Sequence, residues 1–219
     1  MKCKGFLFDL DGTLVDSLPV VERAWSNWGK RHGIAADEIL SFIHGKQALT
    51  SLRHFMAGQP EAAIQAEFRQ LEKTEAEDTD GVRALPGAKA LLDKLNELQI
   101  PWAIVTSGSI PVAHARHKAA GLPQPEVFIT AEQVSRGKPE PDPYLLGAEK
   151  LGLAAESCVV VEDAEAGILS GLNAGCAVIA VNAPADAPRL SETALQLKTL
   201  EALIIDKQQD GSITFRQQA

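Results

Sequence analysis

Five short, unbroken apolar runs punctuate the chain, at 5–10, 102–106, 127–130, 159–162 and 177–181. None alternates apolar with polar residues as a half-exposed strand would, so each reads as a strand covered on both faces, the mark of a parallel sheet. Helical periodicity fills the gaps, over 87–98, 110–120, 143–151 and 164–174. Gly121 and Gly152 stand where a left-handed helix cap is needed, and Pro143 suits a first helical turn. Strands alternating with helices require right-handed crossovers, which predicts an α/β fold: a doubly wound, Rossmann-like parallel sheet with helices on both faces.

The stretch 16–85 breaks this rhythm. Val20, Val21, Ala24, Trp25 and Trp28 recur at helical spacing, as do Leu49, Leu52, Phe55 and Met56, then Ile64, Phe68 and Leu71, with no strand-like run between them. The pattern predicts an all-helical cap domain over 16–85, packed on its own apolar residues and inserted into a core made of 1–15 and 86–219. The acidic stretch 72–80 reads as a solvated face, and Leu85-Pro86-Gly87 as the hinge back to the core. At the far end, 203–205 and 213–215 read as edge strands and 217–219 as a fraying tail.

Charge and cysteine usage narrow the function. A net charge of −8 over 219 residues lacks the cationic face that phosphate backbones demand, so a nucleic-acid partner is not expected. Cys3, Cys158 and Cys176 are odd in number and two of them border apolar strand-like runs, which points to buried free thiols and a reducing, cytoplasmic setting. No stretch has the length of a membrane span, and the first apolar run carries Asp9 and Asp11, unlike a signal-peptide core. A monomer is expected, and an anionic ligand would have to find its cations locally.

Four polar features follow predicted strands, at the edge where open α/β sheets bind ligands. In FLFDLDGTLVDS, residues 6–17, Asp9 can attack phosphorus while Asp11 exchanges a proton with the leaving or attacking oxygen; as a lone acid pair they would more simply cap a turn. In AIVTSGS, Thr106, Ser107 and Gly108 offer a small hydroxyl and free amides to phosphate oxygens without adding charge. In RGKPEPD, Lys138 can cancel charge on nucleophile and phosphoryl group together. In VVVEDAEAG, Asp163 and, second to it, Glu162 are candidate magnesium ligands, with helix capping the rival role for Asp163. In the insertion, Lys46 after a glycine turn and Arg53 on the following helix are candidate substrate contacts.

Taken in order, FDLDGTLVDS, TSG, RGKPEPD and VVVEDAEAG resemble the haloacid dehalogenase superfamily, and the position of the insertion resembles its small-helical-cap group, which includes β-phosphoglucomutase, 2-deoxyglucose-6-phosphatase and glycerol-phosphatase-like enzymes. The resemblance implies a Mg²⁺-dependent sugar or polyol phosphatase, a phosphoric monoester hydrolase acting on a small phosphorylated metabolite. It implies Asp9 as the phosphorylated nucleophile and Asp11 as general acid then base. Ser107 with the following amide would hold the phosphoryl group, Lys138 would offset charge, and Asp9, Asp163 and the Asp11 backbone carbonyl would be metal ligands. Ala48 falls where β-phosphoglucomutase has an arginine, which disfavours the mutase alternative; a phosphoglycolate-type phosphatase is the other. A phospho-receiver domain fits poorly, because its acid pair and phosphoacceptor lie on different strands and it lacks a long helical insertion.

Overall fold

The computed structural model describes residues 1–218. The chain opens with β1 (Lys2–Cys3), β2 (Gly5–Phe8) and β3 (Val15–Asp16), then runs through four helices, α1 (Leu18–His32), α2 (Ala36–Ile43), α3 (Ala48–Phe55) and α4 (Glu61–Glu77). Next, β4 (Arg83–Ala84) pairs antiparallel with β3, Val15 opposite Ala84, so the helical excursion leaves and returns through one narrow neck. Beyond the neck come α5 (Ala88–Glu97), β5 (Trp102–Val105), α6 (Ile110–Ala119), β6 (Val127–Ile129), α7 (Asp142–Lys150), β7 (Cys158–Glu162), α8 (Glu165–Asn173), β8 (Ala177–Val181) and β9 (Leu195–Leu197). The hairpin β10 (Leu203–Lys207) and β11 (Ile213–Gln217) ends the chain.

Six strands form the main sheet in the order β6-β5-β2-β7-β8-β9, all parallel. The chain winds outward from β2 to β6 on one side and then from β7 to β9 on the other. The carboxyl edge between β2 and β7 is therefore the switch point where a crevice must open. Because β2, β5 and β7 are buried along their whole length, their sequences are unbroken apolar runs. The pleat sends Phe6, Phe8, Ile104 and Val161 to one face, against Leu92 and Leu95 of α5. It sends Leu7, Val105 and Val160 to the other, against Tyr144 and Ile168. Each such side chain contributes roughly 1.5–3 kcal/mol by leaving water.

The inserted all-helical cap has a core of its own, in which Trp25, Trp28, Ile39, Leu52, Ile64 and Leu71 meet. Fully buried Trp28 satisfies its indole N–H on Glu67 at 3.0 Å. The fold class is thus the one the hydrophobic pattern predicts.

The C-terminal region departs from expectation. Strand β9, three residues long, gives no run that a pattern search detects. The last two strands do not edge the main sheet; they pair with each other and with β1 in a separate antiparallel sheet. The tail is tied down as far as Gln218, whose amide donates to the Ala202 carbonyl at 2.7 Å; Ala219 lies outside the described residues. The cysteines are buried free thiols, and burial pushes Cys3 and Cys176 up to about 12 and Cys158 up to about 11. Among the described residues no helix is long and apolar enough to cross a membrane.

Candidate active site

Asp9 is the first residue past β2, and its amide still bonds to the β7 carbonyl of Val161 at 3.0 Å, which fixes its backbone to the sheet. Its carboxylate meets Lys138, whose ammonium donates to Asp9 Oδ1 at 2.6 Å, to Glu162 Oε1 at 2.7 Å and to the Val105 carbonyl at 3.0 Å. All three donors of one ammonium are thereby used, by partners at the ends of three neighbouring strands. Glu162 is fully buried: Oε1 also accepts from the Tyr144 hydroxyl at 2.8 Å, and Oε2 accepts the amides of Asp163 and Ala164. Space is tight enough that a Cβ on Gly167 of α8 would collide with the Glu162 carboxylate.

Asp163 faces Asp9 across the switch point. Its carboxylate accepts the Thr13 hydroxyl at 2.9 Å, and α8 begins without a side-chain cap, so the capping role considered for Asp163 is not what the structure places there. Gly12, at φ 91°, lets the loop turn back close to this carboxylate; a side chain there would strike it and strain the backbone.

Ligand oxygens of Asp9, Glu162 and Asp163 lie within 4.8 Å of one another. One ammonium faces three acids, and the excess negative charge favours their protonated forms. Burial and the charge of Glu162 raise Asp9 well above the carboxylate range, against the pull of Lys138. Burial and Glu162 likewise lift Asp163 to about 7. Burial alone would lower Lys138, but Asp9 and Glu162 hold it above its ordinary value. A cluster short of positive charge and made of carboxylate oxygens fits a hard divalent cation such as Mg²⁺.

Asp11 belongs to a second group. Its Oδ1 accepts the Ser17 hydroxyl at 2.6 Å and Arg116 Nη1 at 3.1 Å, while Arg116 Nη2 donates to Glu75 at 2.9 Å. Arg116 comes from α6 and Glu75 from the cap helix α4, and both are buried. The reading of 72–80 as a solvated face is therefore wrong at Glu75: packing α4 on α6 sinks that carboxylate, and a guanidinium compensates it. Arg116, Glu75 and Tyr144 were not singled out from sequence, because none is adjacent in the chain to the group it serves.

Above these clusters lies a cavity of about 600 Å³ between core and cap, lined by Asp9, Asp11 and Asp163 at its floor. Thr106 and Ser107, left open from sequence, take different positions. Thr106 is buried and accepts the Gly108 amide at 3.0 Å, whereas the half-buried Ser107 donates to the cap's Gly45 carbonyl at 3.0 Å. Lys46 lines the cavity, its ammonium donating to the Phe42 carbonyl at 2.6 Å and lying 4.0 Å from that ring's centre; burial lowers it. Arg53 does not line it. The guanidinium lies outside on α3, half exposed, paired with Glu61 at 2.6 Å, so the structure does not bear out a substrate contact there.

The family profile of haloacid dehalogenase-like hydrolases matches residues 3–175. The chain belongs to this family. The hydrolase is 71% identical over 216 residues to hexitol phosphatase A of Escherichia coli K12, spanning 99% of this chain and 100% of that one. It is 34% identical to glycerol-1-phosphate phosphohydrolase 2 of Saccharomyces cerevisiae, across 88% of this chain and 80% of that one. Among solved structures, a hydrolase from Pseudomonas syringae superposes with a TM-score of 0.81 at 26% identity, covering 91% of this chain and 94% of that one.

Proposed function

We propose that this hydrolase is a Mg²⁺-dependent phosphatase of small sugar or polyol phosphates that works through a phosphoaspartate at Asp9. The observation that carries the proposal is the placement of Asp9: a buried carboxylate at the switch point, fixed to the sheet by its own amide and held by Lys138 beside Asp163.

In the first step an Asp9 oxygen forms a bond to phosphorus as the bond to the leaving oxygen breaks, and Asp11 gives its proton to that oxygen. In the second, water attacks phosphorus and surrenders a proton to Asp11 while the acyl-phosphate bond breaks, regenerating Asp9 and releasing phosphate. Positioned acid–base help of this kind is worth about 10²- to 10⁴-fold. Lys138 removes the repulsion between the Asp9 carboxylate and a phosphate dianion. Ser107 and the Gly108 amide hold phosphoryl oxygens once a substrate displaces their bonds to the Gly45 carbonyl and the Thr106 hydroxyl. Asp9, Asp163 and the Asp11 backbone carbonyl would hold Mg²⁺, which supplies further charge neutralisation at the phosphoryl group. Glu162, with both oxygens engaged, we assign to bracing Lys138 and the Asp163 backbone rather than to the metal. Residues 16–85 act as a cap domain that shields the reaction from water and contacts the leaving group.

Charge in the cavity supports a neutral, hydroxyl-rich leaving group. Glu72, Glu75, Glu132 and Glu165 line its wall, and of its cations Arg116 is shared by two acids while Lys46 is bound to Phe42. A second phosphate or a carboxylate on the substrate would meet repulsion there, which disfavours phosphomutase and phosphoglycolate activities. The 71% match to a hexitol phosphatase agrees with this choice.

The test is phosphate release from hexitol, sugar and glycerol phosphates, phosphogluconate and phosphoglycolate, with and without Mg²⁺, joined to ³²P labelling of enzyme quenched in turnover. Expected are Mg²⁺-dependent release, preference for neutral leaving groups and acid-stable label mapping to Asp9. Unlabelled enzyme with chelator-insensitive turnover would overturn the mechanism, and preference for phosphoglycolate the substrate class.

A further inference from the structure

We infer that the Arg116–Glu75 ion pair is a positioning device that aims Asp11 at the leaving group and ties that aim to the seating of the cap; the inference rests on the phosphatase reading above.

Asp11 is anchored through one oxygen. The Ser17 hydroxyl and Arg116 Nη1 both fall on Oδ1, and Oδ2 has no hydrogen-bond partner among the described residues. A carboxyl group held by one oxygen leaves the other free to exchange a proton with a group in the cavity it lines. Both anchors depend on the cap. Ser17 stands at the head of α1, and its hydroxyl bonds Asp11 instead of capping that helix. Arg116 is a core residue whose other nitrogen is fixed by Glu75 of α4, so the guanidinium is oriented from the cap even though its backbone belongs to α6.

Stability alone does not account for this arrangement. Arg116 Nε is buried without a partner among the described residues, and an incompletely satisfied buried ion pair is commonly no better than apolar side chains of similar volume. Arg116 compensates the buried Glu75, but Asp11 keeps about a quarter of its side chain exposed and does not need the guanidinium for that purpose. What the device supplies is geometry, and small misplacements of a proton donor are costly: losses of about 10- to 100-fold are typical when an orienting partner is removed.

The test compares a hexitol phosphate, whose alkoxide leaves only with a proton, with p-nitrophenyl phosphate, whose leaving group needs none. For each ester kcat/KM reports the step that phosphorylates Asp9. Asp11→Asn sets the full effect, lowering the hexitol value far more than the aryl one. Arg116→Met and Glu75→Gln are expected to lower hexitol kcat/KM about tenfold or more with aryl kcat/KM within about threefold, and Arg116→Lys to recover part of the loss. Should Arg116→Met fail to fold because it strands Glu75, the double variant Glu75→Met/Arg116→Met, which leaves no buried charge, is expected to show the same selective loss. Equal losses on both esters, or hexitol kcat/KM unchanged in folded variants, would overturn the positioning role. Wild-type enzyme that cleaves neither ester would overturn the phosphatase reading itself, and this inference with it.

Discussion

Among the described residues two cations, Lys138 and Arg116, are buried and each is clasped between two acids, and the two clasps are assembled in opposite ways. Lys138 joins Asp9 and Glu162 using the ends of adjacent parallel strands and the loop before α7, all of them parts of the core. Arg116 joins Asp11 to Glu75 and so spans from the core to a cap helix. The inner clasp keeps its shape wherever the cap sits, because the sheet fixes it. The outer clasp is complete only with α4 packed on α6. On the proposed mechanism, phosphoryl transfer would rest on residues of the core alone, and the aim of the proton donor on how the cap packs against the core. An enzyme arranged in this way can protect its acyl phosphate from water until the right leaving group has brought the cap down.

The contrast predicts that damage to the inner clasp is absolute. Asp9→Asn is nearly isosteric and still accepts from Lys138, yet it has no nucleophile, so kcat on every ester should fall by about 10⁴-fold or more, with urea unfolding showing an intact fold. Activity above about 1% of wild type would mean that the chemistry does not pass through Asp9.

Lys138→Met tests what the inner cation does for the fold. It strands the buried carboxylates of Asp9 and Glu162, with Asp163 beside them, and breaking a buried pair in this way costs about 3–5 kcal/mol. Urea denaturation should register that loss, and adding Glu162→Gln should restore part of the stability without restoring turnover. An unchanged unfolding midpoint for Lys138→Met would show that the acids are already neutral when the protein folds.

A subtler effect follows from the uncompensated charge. Asp163 lies at about 7 in the folded protein against 3.8 ordinarily, so the native state carries a proton that the unfolded chain has lost across that interval. The contribution of Asp163 to metal-free stability should therefore be most favourable below the ordinary carboxylate value and decline as pH rises to about 7, beyond which it changes no further. Bound Mg²⁺ answers the same charge, so its stabilisation should grow over the same range. Thermal melts in chelator and in Mg²⁺, taken between about pH 5 and pH 8, check both slopes. A Mg²⁺ shift larger at the acid end would contradict a site made of these acids.

The inner clasp was legible in the sequence and the outer one was not, for a physical reason. Strand ends in a parallel sheet converge whatever the connections between them, so an acid just past an apolar run can be assigned to the crevice at once, as Asp9 and Asp163 were; Lys138 stands further from its strand and was singled out by its setting between Gly137 and Pro139. Arg116 and Glu75 meet because two amphipathic helices from different units pack face to face, a contact for which periodicity gives the buried side but not the partner. The acidic run around Glu75 made matters worse, since charge density ordinarily signals solvent. Strand β9 was obscured similarly, because three residues carry little pattern; β10 and β11 were legible as strands, but the pairing of β11 with the chain's second and third residues is wholly non-local.

The smallest effect is expected on the outer surface of the cap, at Arg53. Its spacing after the glycine turn made it a candidate for the substrate, but α3 directs its guanidinium outward, where it is half exposed and paired with Glu61. A solvated ion pair of this kind contributes little and touches nothing in the cavity. Arg53→Ala should leave hexitol phosphate kcat/KM within about twofold of wild type, the range of ordinary surface substitutions. A loss beyond about tenfold would require α3 to turn its outer face over the substrate during turnover. The cap would then rearrange internally as well as move, and the outer clasp at Arg116 would be one of several contacts setting its position.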